Sequence, residues 1–421
     1  MMEFSLFGKK MTCQAGILSL MDDLGDVHTA RGEGMIMMGG GNPGYVPEFQ
    51  KIMRARLKEI CDDTLLFQRL AGTYAPARGD HQFVEGLVAL LRKDQGWNVG
   101  PENICLTNGS QTAFFLLFNM FSGVFSNGRT KKICLPLVPE YIGYADLGLT
   151  EDCCVSTKPE IEFLDGGMFK YHIDFDQLVI GEDVGAICVS RPTNPTGNVV
   201  TDDELEKLSR LAKEKNIPLI IDSAYGLPFP GMIYTKARST WNDNSIVCLS
   251  LSKLGLPGIR TGIVVAGEEI IKALGGMNAI MSLSPTSVGG VLTEQLVSSG
   301  EITEVSRELI QPFYLAKREK AVAAVREAFV DIPCKIHKPE GAMFLWLWFE
   351  NLPITSLQLY ERLKNRGVLV VSGHYFFPGL DDDWKHRDEC LRVTYSQNDE
   401  DVYRGIGIIA EEVGKAYAQA G

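Results

Sequence analysis

Lys253 stands between two apolar runs, 246–249 and 263–266, that read as buried strands. A buried ammonium is costly to desolvate. Desolvation also lowers a lysine's pKa and makes the amine a nucleophile able to form a Schiff base. Ser250 and Ser252 stand just before it, and Arg260 seven residues after it. Hydroxyls with a guanidinium suit a phosphate. A nucleophilic lysine beside a phosphate site points to pyridoxal 5'-phosphate (PLP). The other reading is a surface lysine in a Gly/Pro loop, and this segment alone does not separate the two.

Other chemistry-bearing residues are spread along the chain. The run 104–107 reads as a strand, followed by Asn108-Gly109-Ser110-Gln111 and an apolar helix over 113–121. A strand, a Gly-Ser turn and a helix start leave backbone N–H groups and the helix dipole free for an anion. A plain serine N-cap has the same sequence. Asp222 closes the strand 217–221, with Tyr225 three residues on. Carboxyl ends of strands are where α/β sheets present functional groups, although a helix cap would also explain the aspartate. Asn194 sits in Arg191-Pro192-Thr193-Asn194-Pro195-Thr196-Gly197-Asn198, a loop stiffened by two prolines. Tyr141 follows the strand 132–138, where an aromatic could stack on a flat ring or simply pack.

These groups need a frame. Strands and helices alternate from about 85 to 270, which predicts a mostly parallel, buried sheet. Helices are expected over 46–59, 81–93, 202–215, 355–366 and 399–418, with 268–330 largely helical and interrupted near Ser282 to Thr286. Residues 150–180 read as an acidic connector with one short strand at 169–173. From 335 the texture changes to antiparallel strands joined at Pro339-Glu340-Gly341, then mixed helices and strands, a smaller α+β unit. A short helix is expected within 16–24.

Bulk properties narrow the function. The 421 residues allow two or three domains at about 150 residues each. The net charge of −12 argues against broad binding to nucleic acid, which needs clustered Lys and Arg. Ten scattered cysteines without a Cys-x-x-Cys pair predict free thiols, a reducing cytoplasmic setting and no metal site. No signal peptide and no run of about 18 apolar residues is visible, so no membrane partner is expected. Gly39-Gly40-Gly41-Asn42-Pro43-Gly44 does match the dinucleotide pattern G-x-G-x-x-G. Pro43 stiffens that turn, and the acidic strand end expected about 20 residues later is missing. A glycine turn that brings backbone close to a substrate is the better reading.

In chain order these pieces are Gly41-Asn42-Pro43, Tyr74 with Gly79, Asn108-Gly109-Ser110-Gln111, Tyr141, Asn194-Pro195-x-Gly197, Asp222-x-x-Tyr225, Ser250-x-Ser252-Lys253, Arg260 and Arg392. The order and spacing resemble the class I/II aminotransferases of PLP fold type I across nearly the whole chain. The resemblance implies a large PLP-binding domain over 51–310 and a small domain over 311–421, with 1–50 joining the small one. Lys253 would bind PLP covalently and act as base and acid. Asp222 would pair with the ring nitrogen, Tyr225 and Asn194 with the ring oxygen, and Tyr141 would stack. Gly109, Ser110, Gln111, Ser250, Ser252 and Arg260 would hold the phosphate. Tyr74, and by a looser match Thr286, would reach the neighbouring subunit's cofactor, so a homodimer is implied. Arg392 would bind the substrate α-carboxylate, helped by Asn194 and the Gly41 backbone.

The resemblance implies amino-group exchange between valine or alanine and 2-oxo acids such as pyruvate and 2-oxoisovalerate. An apolar side-chain pocket from Ile17, Leu18 and Leu20 is expected with it. A C–S lyase on the same scaffold is the alternative. A ligand-sensing regulator of this fold would need an N-terminal DNA-binding module, and about 35 residues before Gly39 are too few for one. Two positions depart from the pattern. Glu140 stands where relatives carry Thr or Ser, either adjusting local charge or facing solvent. Ser372 stands where relatives carry Pro, beside the expected substrate entrance.

Overall fold

The computed structural model describes residues 3–12, 18 and 34–420. The expected helix within 16–24 lies almost wholly outside them, as do Ile17 and Leu20; Leu18 is exposed.

Sixteen strands are described. They are β1 (Ile36–Met37), β2 (Ile104–Thr107), β3 (Gly123–Val124), β4 (Thr130–Leu135), β5 (Cys154–Ser156), β6 (Glu160–Leu164), β7 (Met168–His172), β8 (Val184–Ser190), β9 (Leu219–Asp222), β10 (Ser245–Ser250), β11 (Gly262–Val265), β12 (Lys335–His337), β13 (Phe344–Trp348), β14 (Val368–Leu369), β15 (Val371–Ser372) and β16 (Cys390–Thr394). Eight form the large sheet in the order β2-β11-β10-β9-β8-β4-β3, with β5 also on β4. β4, β5, β8, β9 and β10 pair in parallel. β11 runs against both β10 and β2, and β3 runs against β4. Every residue of β2, β8, β9, β10 and β11 is buried. That explains why these strands read as unbroken apolar runs: helices cover both faces. Each fully buried aliphatic such as Ile187 or Val264 contributes about 1.5–3 kcal/mol by leaving water.

The helices begin where capping chemistry dictates. Asp80 accepts from Phe83 N to start His81–Gln95, which ends at left-handed Gly96. Thr201 forms a capping box with Glu204 at the start of Asp202–Glu214. The interruption expected near Ser282 falls between the helices Glu268–Ser282 and Val288–Ser299.

The second sheet has the order β15-β16-β13-β12-β7-β6. Its β6–β7 hairpin comes from the segment read as a connector. β7 pairs in parallel with β12, Ile336 opposite Met168. Alternating charged residues in β6, Glu160 and Glu162, hid this edge strand because its outer face is solvated. Thus 168–172 lies between β5 and β8 in sequence and in the other sheet in space.

The Gly39–Gly44 turn belongs to neither half of a nucleotide-binding unit. β1, which precedes it, pairs with β14 rather than entering the large sheet. Met38 N donates to Leu369 O and Thr394 N donates to Met38 O, both at 2.8 Å. The turn is thereby pinned alongside β16. This tertiary placement removes the dinucleotide reading.

Candidate active site

Lys253 sits in the short turn Ser252–Leu254 after β10. Its amine is at the seam between the two sheets, where Nζ donates to Gly41 O at 2.7 Å and lies 5.4 Å from the centre of the Tyr225 ring. Burial lowers its pKa to about 8, and the positive charges of Arg392 and Arg260 add to the shift, while Asp222 opposes it. This is the condition for a nucleophilic amine near neutral pH. The surface-loop reading of Lys253 is excluded.

Asp222 ends β9, opposite Ser190 of β8 and Cys248 of β10. Its carboxylate accepts from Ala224 N at 2.8 Å and from the Tyr144 hydroxyl at 2.7 Å. Burial raises its pKa; both hydrogen bonds and the Lys253 charge pull the other way. Tyr225 follows in the same turn, buried and edge-on to Phe344. Tyr141 lies at the end of the segment after β4, with its ring edge-on to Tyr144.

Arg392 lies in mid-strand on β16 between Trp346 and Val371 of the flanking strands, only 1% exposed. Nη1 donates to Asn194 Oδ1 at 2.7 Å and Nη2 to Gly39 O at 2.5 Å. Phe344 and Phe376 face the guanidinium, with centroids 4.5 and 5.2 Å away. Nε is buried without a partner among the described residues. Burial lowers this arginine to about 10. A buried guanidinium satisfied by one amide and one carbonyl, with no carboxylate, retains its full charge for an incoming anion.

The loop carrying Asn194 is held by Thr193 N to Asn198 O and Gly197 N to Thr193 O, each 2.8 Å. Gly197 has φ +69, and a Cβ there would meet Gly341 O at 2.5 Å. The glycine lets the loop lie against the turn before β13. Lys170 of β7 pairs with Glu340 of that turn, both 5% exposed. Its amine also donates to Asn198 Oδ1 at 2.9 Å.

On the far side of Lys253, Gly109 precedes the helix Ser110–Phe121 with φ +86, and a Cβ there would run into the Arg260 guanidinium. Arg260 is exposed and itself left-handed at φ 49, a strained state for an arginine that the surrounding turn must impose. Gln111 donates to Gly143 O at 3.2 Å. Ser250 accepts from Ser252 N at 3.2 Å, and both serines are buried. Tyr74 stands apart, 83% exposed. Thr286 N donates to Asn108 Oδ1 at 2.8 Å, next to the Gly109 turn.

These residues fit PLP. A buried amine, a strand-end carboxylate, a glycine-walled helix start with a guanidinium, and a stacking tyrosine surround one space. Gly41 and Tyr225 contact the Lys253 amine, the charges of Asp222, Arg260 and Arg392 act on it, and Asn194 holds Arg392. Sequence reasoning missed Tyr144, whose buried phenol three residues after Tyr141 needed a partner and found Asp222. It also left Glu140 open, and the solvent-facing alternative is wrong: Glu140 is fully buried.

The profile of the family "Aminotransferase class I and II" matches residues 40–409. Valine–pyruvate aminotransferase of Escherichia coli (strain K12) is 50% identical over 419 residues, covering all of both chains. A crystal structure of valine–pyruvate aminotransferase from Salmonella typhimurium LT2, 48% identical, covers 96% of this chain and 99% of its own, with a TM-score of 0.88. At 24% identity, the fold of a Pyrococcus horikoshii kynurenine aminotransferase solved with PMP superposes with a TM-score of 0.78 over 98% of this chain and 97% of its own. With the lysine, the strand-end aspartate and the buried arginine in one space, and a family match spanning both sheets, this chain belongs to the class I and II aminotransferases and its cofactor is PLP.

Proposed function

We propose that the enzyme exchanges an amino group between valine or alanine and the 2-oxo acids pyruvate and 2-oxoisovalerate, in two alternating half-reactions. The observation that carries the substrate reading is the 50% identity, over the full length, to a protein named valine–pyruvate aminotransferase. The charges around Lys253 support it. The charges of two guanidiniums, Arg392 and Arg260, act on that amine. One serves the α-carboxylate and the other the phosphate. A dicarboxylic substrate would ask for a third, and among the described residues only these two act on Lys253.

When bound, PLP supplies the sink for the electron pair left on the substrate α-carbon. Lys253 would hold the cofactor, and its amine would be the group that takes up and gives back the substrate α-proton. Its lowered pKa leaves a share of neutral amine ready at pH 7 to 8. Asp222 would hold the ring nitrogen in its protonated form. Tyr225 and the Asn194 amide would donate to the ring oxygen, and Tyr141 would stack on the ring. The N–H groups of Gly109, Ser110 and Gln111, with Ser250, Ser252 and Arg260, would hold the phosphate. Arg392, fixed by Asn194 and Gly39, orients the substrate carboxylate, with the Gly41 backbone at its side.

The chain acts as a homodimer in the cytoplasm. Exposed Leu65, Phe67, Tyr74, Ile280, Met281 and Leu283 support the dimer. Asn278 joins Ala77 O, and Asn108 joins Ser282, so the Tyr74 segment and the 280–283 end of its helix flank the Gly109 turn. A partner covering those apolar side chains would receive Tyr74 at its own phosphate site. The nine described cysteines are all free, in keeping with a reducing compartment. Among the described residues no helix is long and apolar enough to cross a membrane.

The test is a set of single half-reactions, followed by the visible band of the bound cofactor. Valine and alanine should discharge it fast and aspartate slowly. Aspartate outpacing both would overturn the substrate reading. Release of ammonia with no acceptor present would mark the lyase.

A further inference from the structure

A fully buried carboxylate without a cation needs a reason. Glu140 has 0% exposure. Its Oε1 accepts from Ser190 N at 2.8 Å, and Oε2 from Tyr141 N at 3.1 Å. Ser190 Oγ lies 2.6 Å from Oε2. None of these partners carries a positive charge. Its backbone is fixed as well, with Glu140 N donating to Phe376 O at 2.8 Å.

The contacts do not stop at Ser190. The Tyr144 hydroxyl is 3.3 Å from Ser190 Oγ and donates to Asp222 Oδ2 at 2.7 Å. Four side chains from three elements therefore form one line: Glu140, Ser190 of β8, Tyr144, and Asp222 of β9. A serine hydroxyl has one proton and can point only one way along it. If Glu140 is protonated, it donates to Ser190, Ser190 donates to Tyr144, and Tyr144 donates to Asp222. Every bond then reinforces the next. If Glu140 is ionised, the Ser190 proton turns toward it, and the phenol oxygen loses its donor.

We propose that Glu140 is a positioning residue whose own proton sets the direction of the Glu140–Ser190–Tyr144 hydrogen-bond line, and so how firmly Asp222 is held for the PLP ring nitrogen. The inference rests on the PLP assignment but not on the valine reading. The surroundings favour the protonated form. Burial pushes the glutamic acid up to about 8, and the negative Asp222 pushes in the same direction, while the bonds from Ser190 and Tyr141 oppose it. The titratable groups facing Glu140 are Tyr144 and Cys188, both themselves pushed up by burial, and Asp222. A protonated Glu140 places a neutral neighbour at the head of the line that ends on Asp222.

Two variants separate this role from simple packing. Glu140→Gln keeps the shape and presents an amide that donates to Ser190 at every pH, at the cost of the weaker Tyr141 bond. Glu140→Ala removes the line's first member. Two readouts are independent of turnover: the PLP dissociation constant of the cofactor-free protein, and the pH profile of the bound cofactor's visible band without substrate. A third is the melting temperature of the cofactor-free protein across pH.

The acid's folded value lies above its unfolded one, so its contribution to stability is complete below about 4.5 and is lost as pH rises toward about 8. Glu140→Gln should flatten that part of the melting profile. It should also remove one ionisation near pH 8 from the band and hold PLP within about twofold of the natural protein. Glu140→Ala should weaken PLP about tenfold. In a Ser190→Ala background, Glu140→Gln should change neither the band nor the affinity. An unchanged band profile in Glu140→Gln overturns the proposal, as does wild-type PLP affinity in Glu140→Ala. If Glu140→Ala fails to fold, the Glu140→Gln profile decides alone. Loss of the PLP assignment itself would appear differently, as no visible band in the natural protein.

Discussion

The two sheets place their functional groups in opposite ways. In the large sheet, Ser190, Asp222 and Ser250 close three adjacent parallel strands. Each functional group sits at or just beyond a carboxyl end, where the backbone turns and side chains become free. In the second sheet, Arg392 lies in the middle of an antiparallel strand and is almost wholly buried. The first arrangement is local: strand, end, chemistry. The second is built from pieces distant in sequence, since Gly39, Asn194 and Arg392 meet only after both sheets have formed. A cofactor that stays bound can be held by a preformed set of strand ends. In the proposed reading, a substrate that comes and goes would meet a charge that the fold has already desolvated.

The sharpest way to break this comparison is Lys253→Ala, at the meeting point of the two regions. Turnover should fall by about 10⁴-fold, the upper range for losing a proton-transfer group, while PLP still binds. Steady-state transamination near the natural rate in that variant would refute its role.

Next is the joint between the second sheet and the Asn194 loop. Lys170→Met removes the buried partner of Glu340 and leaves it only the part-exposed Lys338, which costs about 1–3 kcal/mol of stability. The double replacement Lys170→Met with Glu340→Leu should recover most of that loss in a denaturant titration. If the single and double variants are equally unstable, the pair is not what binds the Asn194 loop to β7.

Arg392→Ala tests the second sheet alone. Losing charge-assisted bonds worth about 3 kcal/mol should lower kcat/KM for valine about a hundredfold, mostly through KM, with PLP affinity little changed. An equal loss of PLP affinity would show that the two regions are not separable in this way.

The smallest effect concerns pH. Only the neutral amine captures PLP, so the capture rate at saturating PLP should rise with pH and level off above about 8, following Lys253. Arg260→Gln removes one of the positive charges that lower this pKa, so the midpoint should move up. A midpoint that stays in place would mean that burial and Arg392 carry the whole shift.

Much of the cofactor side was legible in the sequence. Asp222-x-x-Tyr225 and Ser250-x-Ser252-Lys253 each follow a continuous apolar run, and short-range order fixes where such residues emerge. The Gly109-Ser110 turn was legible for the same reason. The β6–β7 hairpin was not, because its edge strand is charged and its partner β12 lies more than 150 residues away. Tyr144 and Glu140 were not, because spacing alone cannot tell a buried polar side chain from an exposed one. The literal dinucleotide pattern at Gly39 misled for a related cause: a motif carries meaning only in its context, and here its strand pairs with β14.

The sequence by itself determined the order of the chemistry along the chain, the parallel sheet that presents it, and the family. These depend on local periodicity and on residue types at fixed spacing. The tertiary structure alone decided which groups share one space and which protons they can hold. The carbonyl of Gly39 against Arg392, the phenol of Tyr144 on Asp222, and the charge of Arg392 acting on Lys253 all come from segments far apart in sequence. Their pKa values follow from burial and from charges a few ångströms away, and those distances exist only once the two sheets have closed on each other.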